Sequence, residues 1–336
     1  MNTRPLGNTG LDITPMVLGG NVFGWTIDEQ TSFSLLDALV DSGLNAVDTA
    51  DSYSRWVPGN QGGESEAIIG NWLSRNPGKR DQIVLITKVG SDLGPMKKGL
   101  SRRWITAAVE DSLKRLKTDY IDLYLSHWPD PDTPIEETLD AFQRLREAGK
   151  IRAIGASNLN ADQLTGALAA AKTHGLPRYD VLQPEYNLYD RSGFDGALRE
   201  LTTKEHIGVI TYYSLASGFL SGKYHSQADL EKSPRGQGVA KYMNDRGTRI
   251  LAALDQVSDA LDAKPAEVAL AWIIAQDGIT APIASATSLS QLNSLVRATQ
   301  LKLDDEQLAL LNGLEEGARA LCRRRPTGGR SKFSLM

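Results

Sequence analysis

Ile83-Val84-Leu85-Ile86-Thr87-Lys88 runs five β-prone residues straight into a lysine. An ammonium at the end of a buried strand is costly unless an opposite charge and hydrogen bonds meet it there. The chain offers partners at the ends of other short apolar stretches. Asp48, with Tyr53 five residues on, closes Asn45-Ala46-Val47-Asp48, and His127 follows Ile121-Asp122-Leu123-Tyr124-Leu125.

The same rhythm continues in both directions. Upstream, Gly7-Asn8-Thr9-Gly10 between short apolar stretches predicts a hairpin over Met1–Ile13. Met16–Gly20 reads as a strand, followed by a helix over Asp28–Ser42 that Gly43 ends, and a helix over Glu64–Ser74 follows the Asp48 strand. Downstream, Ser101 caps a helix running to Leu116, and Pro134 opens another. Strands at Ile151–Gly155, Tyr179–Gln183 and Gly208–Tyr212 alternate with helices at Ala161–His174 and Gly193–Glu205. An insertion, Ser214–Gly247, precedes helical sequence over Thr248–Gln276. The last strand is Thr280–Ala284, with helices at Ser290–Thr299 and Asp304–Leu314.

Eight apolar strands alternating with helices predict an α/β protein with a parallel sheet, and eight units match a (β/α)₈ TIM barrel better than a doubly wound sheet. No Gly-x-Gly-x-x-Gly follows the first barrel strand, which counts against a Rossmann fold. The reading is one domain over residues 1–314, with an N-terminal β-hairpin and extra C-terminal helices, then a basic tail over 315–336.

Composition narrows the class. Of 336 residues, 41% are hydrophobic and 23% charged, as in ordinary soluble domains, and the net charge of −4 lacks the basic excess of a nucleic-acid binder. The single cysteine, Cys322, excludes an intramolecular disulfide framework and any cysteine-based zinc cage, and no metal site is expected. No apolar run approaches the roughly 18 residues of a membrane span, and the start has no signal-peptide pattern. A cytoplasmic protein without a membrane or nucleic-acid partner is expected, and the sequence carries no signal for oligomeric state.

In a barrel, function sits at the C-terminal ends of the strands. There the chain places Asp48 with Asp51 and Tyr53, then Lys88, His127-Trp128, Ser157-Asn158, Gln183 and Tyr212. A lysine beside a phenol is expected to lower its pKa, an aspartate to hold the lysine charged, and a histidine to orient a carbonyl oxygen. Together they suit a general acid that protonates a carbonyl as hydride arrives from an organic cofactor.

Asp48-Thr-Ala-Asp-Ser-Tyr53, Thr87-Lys88 and His127-Trp-Pro-Asp130 resemble the catalytic tetrad of the aldo-keto reductase superfamily. The resemblance runs from Arg4-Pro-Leu-Gly-Asn-Thr-Gly10 to Gln291-Leu292. It includes Gly155-Ala-Ser-Asn158, Gln183-Pro-Glu-Tyr186 and the stretch from Tyr212 to Tyr224. It implies an NADPH-dependent reductase of a small-molecule aldehyde or ketone, with NADH as a possible substitute. Tyr53 would donate the proton, Asp48 and Lys88 would tune it, and His127 would position the substrate oxygen. Ser157, Asn158 and Gln183 would hold the nicotinamide carboxamide, and Tyr212 would stack on its ring. Gly20 and Asn21 would flank the nicotinamide, while Leu215, Gly218 and Lys223 would follow the pyrophosphate.

Ser285, Thr287 and Gln291 fall in the segment that grips adenine in relatives, although Ser294 and Leu295 lack the usual acidic and amide groups. Arg235 resembles a cofactor-arm arginine and is the candidate for the 2′-phosphate. Trp25, Trp56 and Trp128 fall on strand-end loops, where they would line an aromatic mouth for aryl, sugar or polycyclic carbonyl compounds. Two rivals stand beside the reductase: a cofactor-sensing, weakly catalytic subunit resembling the β-subunits of potassium channels, and a Schiff-base lyase using Lys88.

Overall fold

The computed structural model describes residues 1–224, 226–232 and 236–314. Arg235 and the 315–336 tail lie outside them. Two short antiparallel strands, β1 (Arg4–Pro5) and β2 (Asp12–Ile13), form the expected hairpin. The alternation then begins with β3 (Val17–Gly19), α1 (Glu29–Asp41), β4 (Ala46–Asp48) and α2 (Glu64–Arg75). It continues with β5 (Val84–Val89), α3 (Arg102–Leu116), β6 (Ile121–Ser126), α4 (Ile135–Glu147), β7 (Ile151–Ser157) and α5 (Ala161–His174). Next come β8 (Val181–Gln183), α6 (Ala197–Lys204), β9 (Gly208–Thr211), α7 (Asp245–Leu261) and α8 (Pro265–Ile274). The last elements are β10 (Ala281–Ala284), α9 (Leu289–Ala298) and α10 (Asp305–Asn312). Strands β3 to β10 close into an all-parallel barrel, β10 pairing with both β9 and β3. This is the (β/α)₈ barrel that the sequence predicts.

Two helical boundaries differ from expectation. The stretch over Thr248–Gln276 is two helices, because Asp262 turns left-handed (φ 46) after α7 and Pro265 starts a new helix. A proline has no N–H to give, so it belongs in a first turn rather than an interior. Helix α6 also starts later than expected, after Gly196 at φ 90.

Strand alternation divides the core in two. Ala46, Ile86, Leu125, Ala153, Val181 and Ile210 point into the barrel, while their neighbours Val47, Leu85, Tyr124, Ile154, Leu182 and Val209 pack under the helices. Leu6 and Ile13 of the hairpin join the inner cluster. The hairpin reaches it by a close approach: a Cβ at Gly7 (φ 57) would lie 2.3 Å from the Asp180 carbonyl oxygen. Near the start of β6, buried Asp122 accepts from the Leu85 amide (2.9 Å) and pairs with Arg80 (2.8 Å) and Arg152 (3.0 Å). Both guanidinium groups lie over the Tyr120 ring, at 3.8 and 4.0 Å.

Helices α2 and α3 touch through Gly70, where an added Cβ would sit 2.0 Å from the Arg115 carbonyl oxygen. Gly70→Ala, which in an open helix gains up to about 1 kcal/mol, should here cost about 1–3 kcal/mol by overpacking. The measurement is a urea melt, with the midpoint lowered at unchanged slope; a raised midpoint would contradict the close approach.

Candidate active site

The inward row of each strand continues past the hydrophobic layer into polar chemistry. Two residues beyond Ala46, Ile86 and Leu125 stand Asp48, Lys88 and His127, so period-two alternation aims all three at the inner rim of the barrel. Gln183 and Tyr212 follow Val181 and Ile210 by the same step.

Lys88 is wholly buried, and its ammonium is 2.8 Å from both Asp48 oxygens, from the Thr49 carbonyl oxygen and from the Tyr53 hydroxyl. Tyr53 donates to Asp48 Oδ2 at 3.1 Å, and Gln183 Nε2 donates to Asp48 Oδ1 at 2.9 Å. The His127 ring meets the Tyr53 ring edge-on at 6.1 Å. The four side chains on which the tetrad resemblance rests therefore meet at one point.

Burial lowers the Lys88 pKa from its ordinary value, and the Asp48 carboxylate is the main force opposing the drop. Burial, followed by the Asp48 charge, pushes the Tyr53 phenol well above its ordinary value. This reverses the direction expected from Lys88 alone, since the phenol shares its pocket with a carboxylate as well as a lysine. The phenol consequently holds its proton at rest. Burial, assisted by the Lys88 charge, drops His127 well below the ordinary histidine value, so its ring is neutral at pH 7.

Local backbone geometry sets the Tyr53 loop. Ser54 is buried at φ 70, and its hydroxyl donates to the Phe23 carbonyl at 2.7 Å. Asn60 Nδ2 donates to the carbonyls of Ser54 (3.0 Å) and Gly24 (3.2 Å), binding this loop to the one after β3. Asp51 is buried, with no hydrogen-bond partner for either carboxylate oxygen among the described residues. Burial and then Glu66 push its pKa well above the usual carboxylate range, while Glu66 itself accepts from Thr87 (2.6 Å) and Arg115 (2.7 Å).

A continuous cleft of about 1220 Å³ opens over this group. That exceeds the roughly 300–1,000 Å³ of a common ligand pocket and leaves room for a dinucleotide with a substrate. Its wall carries Asp48, Tyr53, His127, Ser157, Asn158, Gln183 and Tyr212, then Leu215, Gly218 and Lys223, and also Asn21, Ser285, Thr287 and Gln291. Trp56 and Trp128 line it as well, and both are about half exposed. Trp25 is not among the lining residues and meets Trp56 edge-on at 5.4 Å. Gly20 is buried off the wall, its carbonyl accepting from Ser65 at 2.7 Å.

Ser157 and Asn158 stand shortly before α5, which Asn160 caps. Ser157 donates to the Gln183 carbonyl (2.8 Å). Asn158, at φ 60, donates to the His127 carbonyl (2.9 Å) and accepts from the Tyr212 hydroxyl (2.6 Å). Ser285 donates to Asn21 Oδ1 at 2.6 Å, and Gln291 accepts from Thr287 at 2.8 and 3.1 Å.

Sequence reasoning missed several cleft residues. Ser91, three residues past Lys88, is 3.0 Å from His127 Nδ1, and Gly90-Ser91 at a strand end was the available signal. Lys264 lies on the wall and donates to Ser294 Oγ at 3.1 Å. It holds the N-cap position of α8, a boundary that the helical stretch Thr248–Gln276 left unplaced. Arg55 and Tyr213 also line the cleft.

No described helix is long and apolar enough to cross a membrane. The family model described as "Aldo/keto reductase family" matches residues 15–316. Aldo-keto reductase YhdN of Bacillus subtilis (strain 168) is 33% identical over 327 residues, 94% of each chain. Protein tas of Escherichia coli (strain K12) is 30% identical over 345 residues, covering 94% of this chain and 98% of its own. A probable voltage-gated potassium channel subunit beta of Arabidopsis thaliana is 33% identical over 308 residues, 90% of this chain and 92% of its own. The chain belongs to the aldo/keto reductase family and is an NAD(P)H-dependent oxidoreductase.

Proposed function

We propose that this enzyme reduces an aldehyde or ketone with NADPH, and that Tyr53 supplies the proton. The observation carrying the reading is the Tyr53 hydroxyl, bonded at once to the Lys88 ammonium (2.8 Å) and the Asp48 carboxylate (3.1 Å) on the cleft wall. When bound, the nicotinamide supplies a hydride to the carbonyl carbon. Tyr53 turns its hydrogen from Asp48 to the carbonyl oxygen and gives up the proton there, and Lys88, already donating to the phenol oxygen, stabilises the phenolate left behind. Asp48 holds that ammonium in place, and the neutral His127 ring orients the oxygen. Ser157, Asn158 and Gln183 hold the carboxamide, with Gly20 fixing the backbone beside Asn21, and Tyr212 offers its ring to the nicotinamide. Trp56 and Trp128 present flat faces that suit an aryl carbonyl compound, and Trp25 buttresses Trp56.

Preference for NADPH rests on cations in the same cleft. Lys223 and Lys264 both line it, and Lys264 has a serine hydroxyl rather than a carboxylate as its bonded partner. We assign Lys264 to the 2′-phosphate, with Ser285, Thr287 and Gln291 toward the adenosine and Leu215 and Gly218 along the pyrophosphate.

The second reading, a cofactor-sensing subunit, draws on the relative named as a potassium channel subunit beta, which aligns with 90% of this chain. Both readings need cofactor binding, and only the reductase needs turnover.

Tyr53→Phe should lower steady-state NADPH oxidation with an aromatic aldehyde by about 100-fold or more. NADPH affinity, read by quenching of tryptophan fluorescence, should stay unchanged. Equal loss of both would remove Tyr53 from the proton-donor role, and binding without turnover in the wild type would favour the sensor. Lys264→Ala should weaken NADPH binding by about tenfold or more while leaving NADH untouched. A uniform effect on the two cofactors would take the 2′-phosphate away from Lys264.

A further inference from the structure

The His127 backbone and ring are both held by neighbours, which leaves the position of the ring proton to be settled. The His127 backbone donates to the Val89 carbonyl at 2.8 Å and accepts from Asn158 Nδ2 at 2.9 Å. Its ring stacks on Trp128 (5.6 Å, 16°) and meets Tyr53 edge-on. A neutral imidazole carries one hydrogen, on Nδ1 or on Nε2, and its partners decide which.

The Nδ1 partner is Ser91 Oγ at 3.0 Å. A serine hydroxyl alone leaves the choice open, since it can donate or accept. A second serine gives it a direction. The Ser52 hydroxyl, from the Tyr53 loop, donates to Ser91 Oγ at 3.1 Å. Among the described residues, the acceptor left for the Ser91 hydrogen is then His127 Nδ1. Accepting from Ser52 also polarises the Ser91 O–H and makes it a better donor.

We propose that Ser52 and Ser91 form a directed hydroxyl relay that holds His127 with its hydrogen on Nε2. That places an N–H donor at the substrate oxygen beside the Tyr53 hydroxyl. The opposite tautomer would present a lone pair to the carbonyl oxygen and repel it. Ser91 acts through His127 and is a positioning residue; Ser52 acts one step further back. The proposal rests on the reductase reading for its consequence in turnover, but the tautomer itself does not.

The relay also ties together loops that strand pairing leaves independent. Ser52 follows β4, Ser91 follows β5 and His127 follows β6, which are neighbours in the barrel. The same three strands and their loops supply Asp48, Tyr53, Lys88 and His127. The charged, buried bonds of Asp48 and Lys88 fix the proton donor, and the neutral serine bonds on the cleft wall tie its loop to the oxygen-positioning ring.

The test is nitrogen NMR on protein labelled with ¹⁵N at histidine. The chain has four histidines, and subtracting the spectrum of His127→Asn assigns the signal. In the wild type, His127 Nδ1 should resonate as an unprotonated ring nitrogen and Nε2 as a protonated one. Ser91→Ala should move both signals toward a tautomer average and lower kcat about tenfold, with NADPH quenching unchanged. Ser91→Thr, which keeps the hydroxyl, should restore both. A hydrogen on Nδ1 in the wild type overturns the relay, as does a Ser91→Ala variant with tautomer or kcat unmoved. Failure of the reductase reading is seen separately, as absence of wild-type NADPH oxidation across a carbonyl panel, and leaves the wild-type nitrogen spectrum untouched.

Discussion

A lysine ammonium buried at the inner rim of a β-barrel dictates the chemistry around it. The penalty for removing an ion from water is several kcal/mol even after relaxation. At Lys88 it is offset by a carboxylate gripped through both oxygens, a backbone carbonyl and a phenol, all at 2.8 Å. Asp48 is in turn shared among Lys88, Tyr53 and Gln183. Removing any one partner would leave a buried charge or donor unmet, so the group works as a unit. Its assembly needs strands β4, β5 and β8 at the correct register, because a slip of one residue would turn Asp48 or Lys88 toward the helices.

Much of this was legible before any coordinates. Short apolar runs ending in Asp48, Lys88 and His127 carry both the barrel and the meeting point, since strand ends in this fold converge on one face. What escaped the reading depends on interactions between side chains distant in sequence. Asp262 gives no local warning of its left-handed turn, so the break within the helical stretch Thr248–Gln276 shows only once Pro265 is weighed as a first-turn residue. Ser157 and Asn158 bond to the Gln183 and His127 carbonyls, contacts between neighbouring strand ends that no local pattern announces. The phenol's pKa direction was misread because the sequence names Lys88 and Asp48 as neighbours without saying how deeply Tyr53 shares their burial. Arg235 and the tail fall outside the described residues.

The two ends of the barrel divide stability from chemistry. At the strand starts, Leu6 and Ile13 extend the inner core, and Asp122 is clasped by two arginines that sandwich Tyr120. Here the buried carboxylate has its counter-charges and the ring its cations. At the strand ends, Asp51 lies buried with both carboxylate oxygens unmet among the described residues, and Ser54 sits at a positive φ. Unmet polar groups and left-handed backbone away from glycine cost free energy, and they cluster where geometry is imposed for function. Ser54 is informative here, because its hydroxyl bond to Phe23 is what makes the strained turn presenting Tyr53 hold its place.

The charge states make a coherent acid site. A proton donor to a carbonyl must be protonated before the reaction and tolerable as an anion after it. Burial and Asp48 keep the Tyr53 phenol neutral at rest. The ammonium bonded to the same oxygen is already in place when negative charge develops there, so little reorganisation is needed at that moment. In the proposed reaction His127, neutral and bonded through Nδ1 to Ser91, would contribute a fixed donor instead of a second proton to be transferred. On that reading one group would move a proton while the other keeps the oxygen still, a division of labour that rests on the buried ion pair between β4 and β5.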